Sequence, residues 1–299
     1  MSRNGTFLFL YAILSDMKPF LVDTHCHVHF RPYDADRALI LDRMDQKRIW
    51  GITIGTGLKN SEEGLRFAEE HEGIWATVGL HPEHVTSDYE DENEGSKPEK
   101  TVTKAQLIKV ASSSKKCVAI GETGLDWYRI DEGRDREQAK AAQEIVLAEH
   151  LAAAHELDLP LVFHCREALP RLAELMQLEW QAGRKPRGVV HSFTGTWEEA
   201  KALLDLGLHI AVNGIATFPP KKGSDPAKSI DRTIENIPFE RLLLETDSPY
   251  LAPATYRGKR NEPSYVEEVA NYVSKIRHVS VNEVASQTTD NAIGLFRLT

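Results

Sequence analysis

The chain contains 299 residues, and 41% of them are hydrophobic. This is enough for one large core, because α/β barrels of about 250 residues fold as single domains. The formal net charge of −9 argues against a protein that coats nucleic acid, since such domains typically have a pI above ~9. The three cysteines form no C-x-x-C pair, which argues against a disulfide framework and predicts a reduced, cytoplasmic protein, with the nucleus as an alternative location.

Residues 1–16 precede the first predicted strand. Residues 7–14 are an apolar run, but a membrane-spanning helix needs ~20 apolar residues, and no convincing small-residue cleavage site follows the run. We therefore predict an extension over residues 1–16, outside a single core domain over residues 17–299, and no membrane association. A weak targeting signal is the alternative interpretation.

The core domain repeats one pattern: a short apolar run, a polar cluster and then a helical stretch. Continuous apolar runs are typical of parallel strands that are covered on both faces. Strands that alternate with helices indicate βαβ units, and eight units predict an α/β fold of the TIM (β/α)8 barrel type, with an open doubly wound sheet as the alternative. The predicted strands cover residues 20–22, 49–54, 74–78, 117–120, 161–163, 188–190, 208–212 and 242–244.

The helices between these runs are predicted from caps and apolar spacing. Thr196 and Glu199 have the spacing of a capping box ahead of an apolar helical face. Two further helices are predicted over residues 266–276 and 281–295. A long helix is predicted over residues 135–157 from an apolar stripe at helical spacing, formed by Ala141, Ile145, Ala148 and Ala152.

An acidic insertion over residues 86–104 interrupts the pattern after the third strand. It is rich in carboxylates and contains Pro98, which is typical of a solvated, mobile segment. The alternative is a functional one, in which an acidic lid repels unsuitable polyanions. The carboxylates are Asp88, Glu90, Asp91, Glu92 and Glu94.

Residue types that bind metals follow five of the predicted strands, where the active site of an α/β barrel lies. A single histidine of this kind is usually structural, but the ordered set is not expected by chance. Four histidines and two carboxylates exceed the ligands that one tetrahedral ion requires, so we predict two divalent metal ions (Mg, Mn or Zn), with Glu122 as the bridge. The predicted metal ligands are His25, His27, Glu122, His164, His191 and Asp247.

Seven short motifs lie at or near the predicted strand ends. They are Val22-Asp-Thr-His25-Cys-His27, Gly79-Leu-His81-Pro82, Gly121-Glu122-Thr-Gly-Leu-Asp126, His164-Cys-Arg166-Glu-Ala168, His191-Ser-Phe-Thr-Gly195, Glu245-Thr-Asp247-Ser-Pro-Tyr-Leu251 and Arg257-Gly-Lys-Arg-Asn-Glu-Pro263. Together they resemble the TatD family of metal-dependent hydrolases, which are usually described as deoxyribonucleases. The motifs occur in family order and cover nearly everything from residue 17 to the C-terminus. His29 departs from the family pattern, and the acidic insertion is longer than expected.

The resemblance implies a TIM barrel, a divalent-metal centre at the six residues above, and phosphodiester hydrolysis, often as a 3′→5′ exonuclease. We assign the catalytic roles to Asp247, which would orient or deprotonate the attacking water, and to Glu122. Arg166 would offset charge on the phosphoryl oxygens, and His81 would contact the leaving group or a flanking phosphate. The backbone of the nucleic acid would be held by Arg257, Lys259 and Arg260, unless these belong to a solvated loop.

The predicted function is therefore a divalent-metal-dependent deoxyribonuclease with 3′→5′ exonuclease action, and the predicted partner is nucleic acid as substrate. DNA is favoured, although the residues do not choose between DNA and RNA, and no obligate protein partner is evident. One alternative is an amidohydrolase-type barrel that acts on an amide or ester; many such enzymes carry a carboxylated lysine where this chain has Glu122. Another is a metal-binding scaffold without turnover.

Overall fold

A computed structural model describes residues 18–88, 90–95, 97–130, 133–220, 223 and 225–299. The extension predicted over residues 1–16 lies outside the described residues. Within them, eight parallel strands form a single sheet in chain order. The strands are β1 (Leu21–Cys26), β2 (Ile49–Thr53), β3 (Ile74–Val78), β4 (Cys117–Asp126), β5 (Leu161–Arg166), β6 (Gly188–Val190), β7 (His209–Val212) and β8 (Leu242–Leu244).

The sheet curves round so that β1 and β8 meet. Cys26 pairs with Ser248 in a parallel bridge just beyond β8, and the Thr24 hydroxyl donates a hydrogen bond of 3.0 Å to the Leu244 carbonyl. The fold is therefore a TIM barrel, and the open doubly wound alternative is wrong. Three strands continue beyond their predicted ends, and as a result Glu122 lies within β4 rather than after it.

Helices surround the barrel and confirm the predicted alternation. They are α1 (Arg37–Gln46), α2 (Leu58–Glu70), α3 (Pro82–Thr86), α4 (Lys104–Ala111), α5 (Arg136–Leu157), α6 (Leu169–Gln181), α7 (Trp197–Leu204), α8 (Ile230–Asn236), α9 (Val266–Arg277) and α10 (Val281–Phe296). The capping box at Thr196 and Glu199 is present at the start of α7. None of the helices in the described ranges is both long and apolar enough to cross a membrane.

Helix α5 was predicted correctly, but its apolar stripe was assigned to the wrong face. Ile145 is 65% exposed, whereas the inward face carries Gln143 and His150, which are fully buried. The amide of Gln143 donates to the Pro82 carbonyl (3.1 Å), and His150 Nε2 accepts from the Leu80 amide (3.0 Å). The buried face also carries Val146, Leu147, Ala153 and Ala154, so an apolar stripe is present but is offset from the predicted one. Two polar side chains within it tie α5 to the segment after β3.

The core has two parts. One lies between the strands and the helices, and the other fills the barrel with strand residues such as Ile52, Trp75 and Val162, together with Phe296 from the end of α10. The interior of the barrel is therefore filled, and the predicted metal ligands lie at the C-terminal ends of the strands, where the active site of such a barrel is found. The three cysteines are free, and Cys26 and Cys117 are buried.

Candidate metal centre

The C-terminal ends of the strands open into a cavity of about 580 Å³. This volume is within the range of ~300–1,000 Å³ that is usual for small-molecule sites. Five of the six predicted metal ligands line the cavity, and the sixth, His25, lies directly beneath them, stacked on His191 with 3.9 Å between ring centroids. The residues that line it include His27, Glu122, His164, His191, Asp247, His81, Asp126 and Arg166.

The two carboxylate oxygens of Glu122 face two different sets of histidines. Oε1 lies 2.7 Å from His191 Nε2 and 3.1 Å from His164 Nδ1. Oε2 lies 3.5 Å from His25 Nε2, on the other side of the carboxylate. Glu122 therefore lies between two sets of histidines and presents one oxygen to each.

Asp247 belongs to the set of ligands that contains His25. Its Oδ1 lies 3.6 Å from His25 Nε2 and 3.5 Å from His27 Nε2. Its backbone is left-handed (φ 57°), a conformation in which aspartate and asparagine are enriched. The Asp247 amide donates 2.8 Å to the His25 carbonyl, so that β1 and the segment after β8 are held together at the site.

Asp23, which is buried in β1, fixes the same junction from below. Its two oxygens accept from the amide (2.9 Å) and the hydroxyl (2.6 Å) of Thr246, the residue before Asp247. The amide of His25 is 3.3 Å from Asp23 Oδ1. A single carboxylate thus positions ligands from both ends of the sheet.

The electrostatics keep both central carboxylates ionised. Burial raises the pKa of Glu122, but His191, His81 and His25 outweigh burial and hold this pKa well below its ordinary value. For Asp247, burial likewise raises the pKa, while a hydrogen bond from His27 and the neighbouring His25 lower it further than burial raises it. Both groups therefore present negative charge to a cation at neutral pH.

The side chains fit a divalent metal. Both ring nitrogens of His25 and Nδ1 of His191 are buried without a hydrogen-bond partner, which is costly unless another group occupies them. Imidazole and carboxylate together are the donors that Zn or Mn prefers. Among the described residues, three groups have ligand atoms within 4.8 Å of one another: His25 with His27 and Glu122, His25 with His191 and Asp247, and His81 with Glu122 and His164.

Two contacts were not predicted from the sequence. Asp126, at the end of β4, lies 3.0 Å from His164 Nε2, and His164 presents its other nitrogen to Glu122. His81 was predicted to contact substrate, but its Nε2 is 3.4 Å from Glu122 Oε1, within reach of the same group. The signal for Asp126 was its place at the end of the Gly121–Asp126 motif, four residues after Glu122 in β4, where a second carboxylate can orient a ligand.

Glu245 lies behind the site and contacts the segment that carries His191. It is fully buried, and its Oε1 accepts a hydrogen bond of 2.5 Å from the Ser192 amide. The same oxygen lies 3.6 Å from His191 Nδ1. Glu245 therefore fixes the strand end that carries His191.

The predicted substrate contacts divide into two classes. Arg166 lines the cavity, with its guanidinium 3.7 Å from the Tyr128 ring centroid. The three cations after β8 lie outside the cavity lining, and each is stacked over an aromatic ring: Arg257 over Phe218 (5.3 Å), Lys259 over Tyr256 (5.7 Å) and Arg260 over Tyr33 (4.7 Å).

Arg260 differs from the other two cations because it is already paired. It donates to both oxygens of Asp36, at 2.9 Å and 2.6 Å. A bidentate pair of this kind uses the guanidinium face that would bind a phosphate. The structure therefore gives Arg260 a structural role and leaves Arg257 and Lys259 as the cations of this loop that have no carboxylate partner among the described residues.

The chain is similar to proteins of one family over nearly its whole length. A family model described as TatD related DNase matches residues 22–297. A Bacillus subtilis protein named uncharacterized metal-dependent hydrolase YabD is 32% identical over 279 residues, covering 93% of this chain and 99% of that protein. A Pantoea ananatis protein named 3′-5′ ssDNA/RNA exonuclease TatD is 34% identical over 272 residues, covering 89% and 95%.

The fold agrees with these matches. The crystal structure of the Escherichia coli TatD homologue YJJV has a TM-score of 0.78 and 28% identity, and it covers 95% of this chain and 100% of that chain. The match extends over the whole barrel, including every strand that carries a candidate ligand. The chain therefore belongs to the TatD family and is a metal-dependent hydrolase.

Proposed function

We propose that the protein hydrolyses phosphodiester bonds at the 3′ end of single-stranded nucleic acid, with DNA as the favoured substrate. The observation that carries this proposal is the position of Glu122, whose two oxygens face two sets of ligands at the base of a cavity with Arg166 on its rim. Two metals held by one carboxylate suit an in-line displacement at phosphorus. The exonuclease name of the Pantoea relative supports the same substrate class.

We propose two sets of ligands, with Glu122 common to both. His25, His27 and Asp247 would hold one ion, and His164 and His191 would hold the other, with His81 close to His164. Divalent metals in such a site supply Lewis-acid charge and lower the pKa of water. The chain does not identify the metal, so Mg, Mn and Zn are all to be tested.

The remaining steps fall to the side chains. Asp247, which is ionised and 15% exposed at its side chain, would orient the attacking water and accept its proton. Arg166 would bind the phosphoryl oxygens, since a guanidinium matches phosphate in a bidentate way. His81 would donate a hydrogen bond to the leaving oxygen. The free, largely buried cysteines support a reducing location such as the cytoplasm.

The test is metal restoration on a 3′-labelled single-stranded oligonucleotide. Protein stripped with a chelator is expected to release no mononucleotide, and addition of Mg, Mn or Zn is expected to restore release with at least one ion. A 5′-labelled copy of the oligonucleotide would then shorten progressively, which identifies the end attacked. If no ion restores cleavage of DNA or RNA, the proposal is wrong, and an ester or amide substrate becomes the better assignment.

The cations after β8 give a prediction on binding. Replacing Arg257 and Lys259 together by alanine removes two exposed positive charges that would neutralise phosphates. The slope of log affinity against log salt is therefore expected to decrease by about 1 for single-stranded DNA. Fluorescence anisotropy with labelled oligonucleotide at several salt concentrations measures this slope.

Arg260→Ala is the matched control for this experiment. Its charge is already neutralised by Asp36, so the salt slope is expected to stay at the wild-type value. An unchanged slope in the Arg257/Lys259 double variant, or an equal decrease in the Arg260 variant, would move the binding surface elsewhere.

A further inference from the structure

The acidic insertion forms part of the cavity wall. Asp91 and Glu94 both line the cavity beside the candidate metal ligands. Glu94 is buried rather than solvated, and its Oε1 lies 3.0 Å from His84 Nε2. The Arg31 guanidinium donates 2.8 Å to the next carbonyl, that of Gly95. The described part of this segment is thus docked on the barrel.

Asp91 is attached to the loop that carries Asp247. The Tyr250 hydroxyl donates 2.6 Å to Asp91 Oδ2, and the Tyr250 amide donates 2.9 Å to the Asp247 carbonyl. The ring of Tyr250 lies edge-on to His27, with 6.0 Å between centroids. One tyrosine ring therefore separates the Asp91 carboxylate from the nearest candidate ligand.

The charges on the cavity wall are not evenly distributed. Glu83 is neutralised by Arg129 at 3.1 Å, and Glu94 faces His84. Asp91 has a tyrosine hydroxyl as its partner and no ion pair with a lysine or arginine among the described residues. Arg166, in β5, lies over an aromatic ring rather than a carboxylate. Each of the other carboxylates that line the cavity contacts a histidine or an arginine, so Asp91 is the one without a basic partner among the described residues.

We propose that Asp91 makes the enzyme select strand ends that carry a 3′-hydroxyl and reject those that carry a 3′-phosphate. This inference rests on the proposed exonuclease function. When the last phosphodiester of a nucleic-acid strand lies at the metal centre, near Arg166, the 3′-terminal group of that strand lies one nucleotide beyond the metal centre. Beside Asp91 and Tyr250, a terminal hydroxyl would find hydrogen-bonding partners, whereas a terminal phosphate would meet a like charge in a partly desolvated cavity.

The experiment compares two oligonucleotides that differ only at the 3′ end, one with a hydroxyl and one with a phosphate. Both are 5′-labelled and digested by the metal-loaded full-length protein. Wild type is expected to shorten the hydroxyl-ended strand roughly tenfold faster, with a smaller ratio at high salt because exposed charges are screened. In Asp91→Asn, the rate on the phosphate-ended strand is expected to rise, so that the ratio falls at least threefold.

Glu90→Gln is the matched control. It removes the same charge from the same segment, but Glu90 pairs with Lys97 and is absent from the cavity lining. Its ratio is expected to equal the wild-type ratio. Metal content and thermal unfolding are measured for both variants; asparagine keeps the oxygen that accepts from the Asn93 amide, so the segment is expected to stay docked.

The outcomes separate this inference from the function on which it rests. If wild type shortens both strands at equal rates, or if Asp91→Asn keeps the wild-type ratio, the inference is wrong and the exonuclease assignment stands. If wild type shortens neither strand with any metal, the proposed function fails, and the inference fails with it. An equal fall of the ratio in Glu90→Gln would assign the effect to net charge rather than to Asp91, which also overturns the inference.

Discussion

Asp247→Asn is expected to reduce nucleotide release roughly 10³-fold, because loss of a positioned general base typically costs 10²–10⁴-fold. The amide cannot accept the proton of water at neutral pH, and it is a poor metal ligand. The fold is expected to survive, since asparagine tolerates the left-handed backbone of this position (φ 57°) and keeps an oxygen beside His25 and His27. Initial rates on labelled single-stranded DNA at saturating metal measure the effect.

The control for this variant is Asp205→Asn, which makes the same chemical change at an exposed ion pair with Lys201, at the end of α7. This control is expected to have wild-type activity. Far-ultraviolet circular dichroism and thermal unfolding establish that both variants are folded. Full activity in Asp247→Asn would remove the base assignment and leave Asp247 at most a minor ligand.

Glu122→Gln is expected to remove metal binding at one or both positions. The wild-type carboxylate offers an oxygen to each set of histidines, at 2.7 Å from His191 and 3.5 Å from His25. A glutamine offers one oxygen and one amide donor, so it cannot serve both sets. Changes of residues behind metal ligands already cost 10–100-fold in affinity, and loss of a shared ligand is expected to cost at least about 100-fold.

Metal stoichiometry after equilibration and gel filtration measures this effect, and activity is expected to fall with it. Glu83→Gln is the matched control, because Glu83 also lines the cavity but is paired with Arg129 and belongs to none of the three ligand groups. It is expected to keep the wild-type metal content. Two ions retained by Glu122→Gln would contradict the shared role of this carboxylate.

Much of the barrel was predictable because its signals are local. Parallel strands that are covered on both faces are short apolar runs, and the chain returns to the same edge after each helix. The residues that follow the runs must therefore converge at one end of the barrel. This is why His25, His191 and Asp247, which are far apart in the chain, were predicted together and do lie together.

The buried faces of helices and the partners of charged side chains were less predictable, because both depend on which other segments pack against them. The inner face of α5 combines apolar residues such as Val146 and Leu147 with Gln143 and His150, whose buried hydrogen bonds a pattern of apolar residues does not predict. Arg260 has the sequence signature of a phosphate-binding cation, but Asp36, which is 224 positions away, occupies it. No local pattern encodes a partner at this separation.

The sequence by itself determined the barrel, the family and the six candidate ligands, since these follow from repeated local patterns and from ordered motifs. Only the tertiary structure decided that Glu122 faces two sets of histidines, that Asp126 contacts His164 and that Asp91 reaches Tyr250. Each of these is a contact between residues on different strands or loops. Such contacts depend on which segments the closed barrel brings together. The sequence alone does not distinguish an aspartate that faces solvent from one that lines the cavity, as Asp91 does.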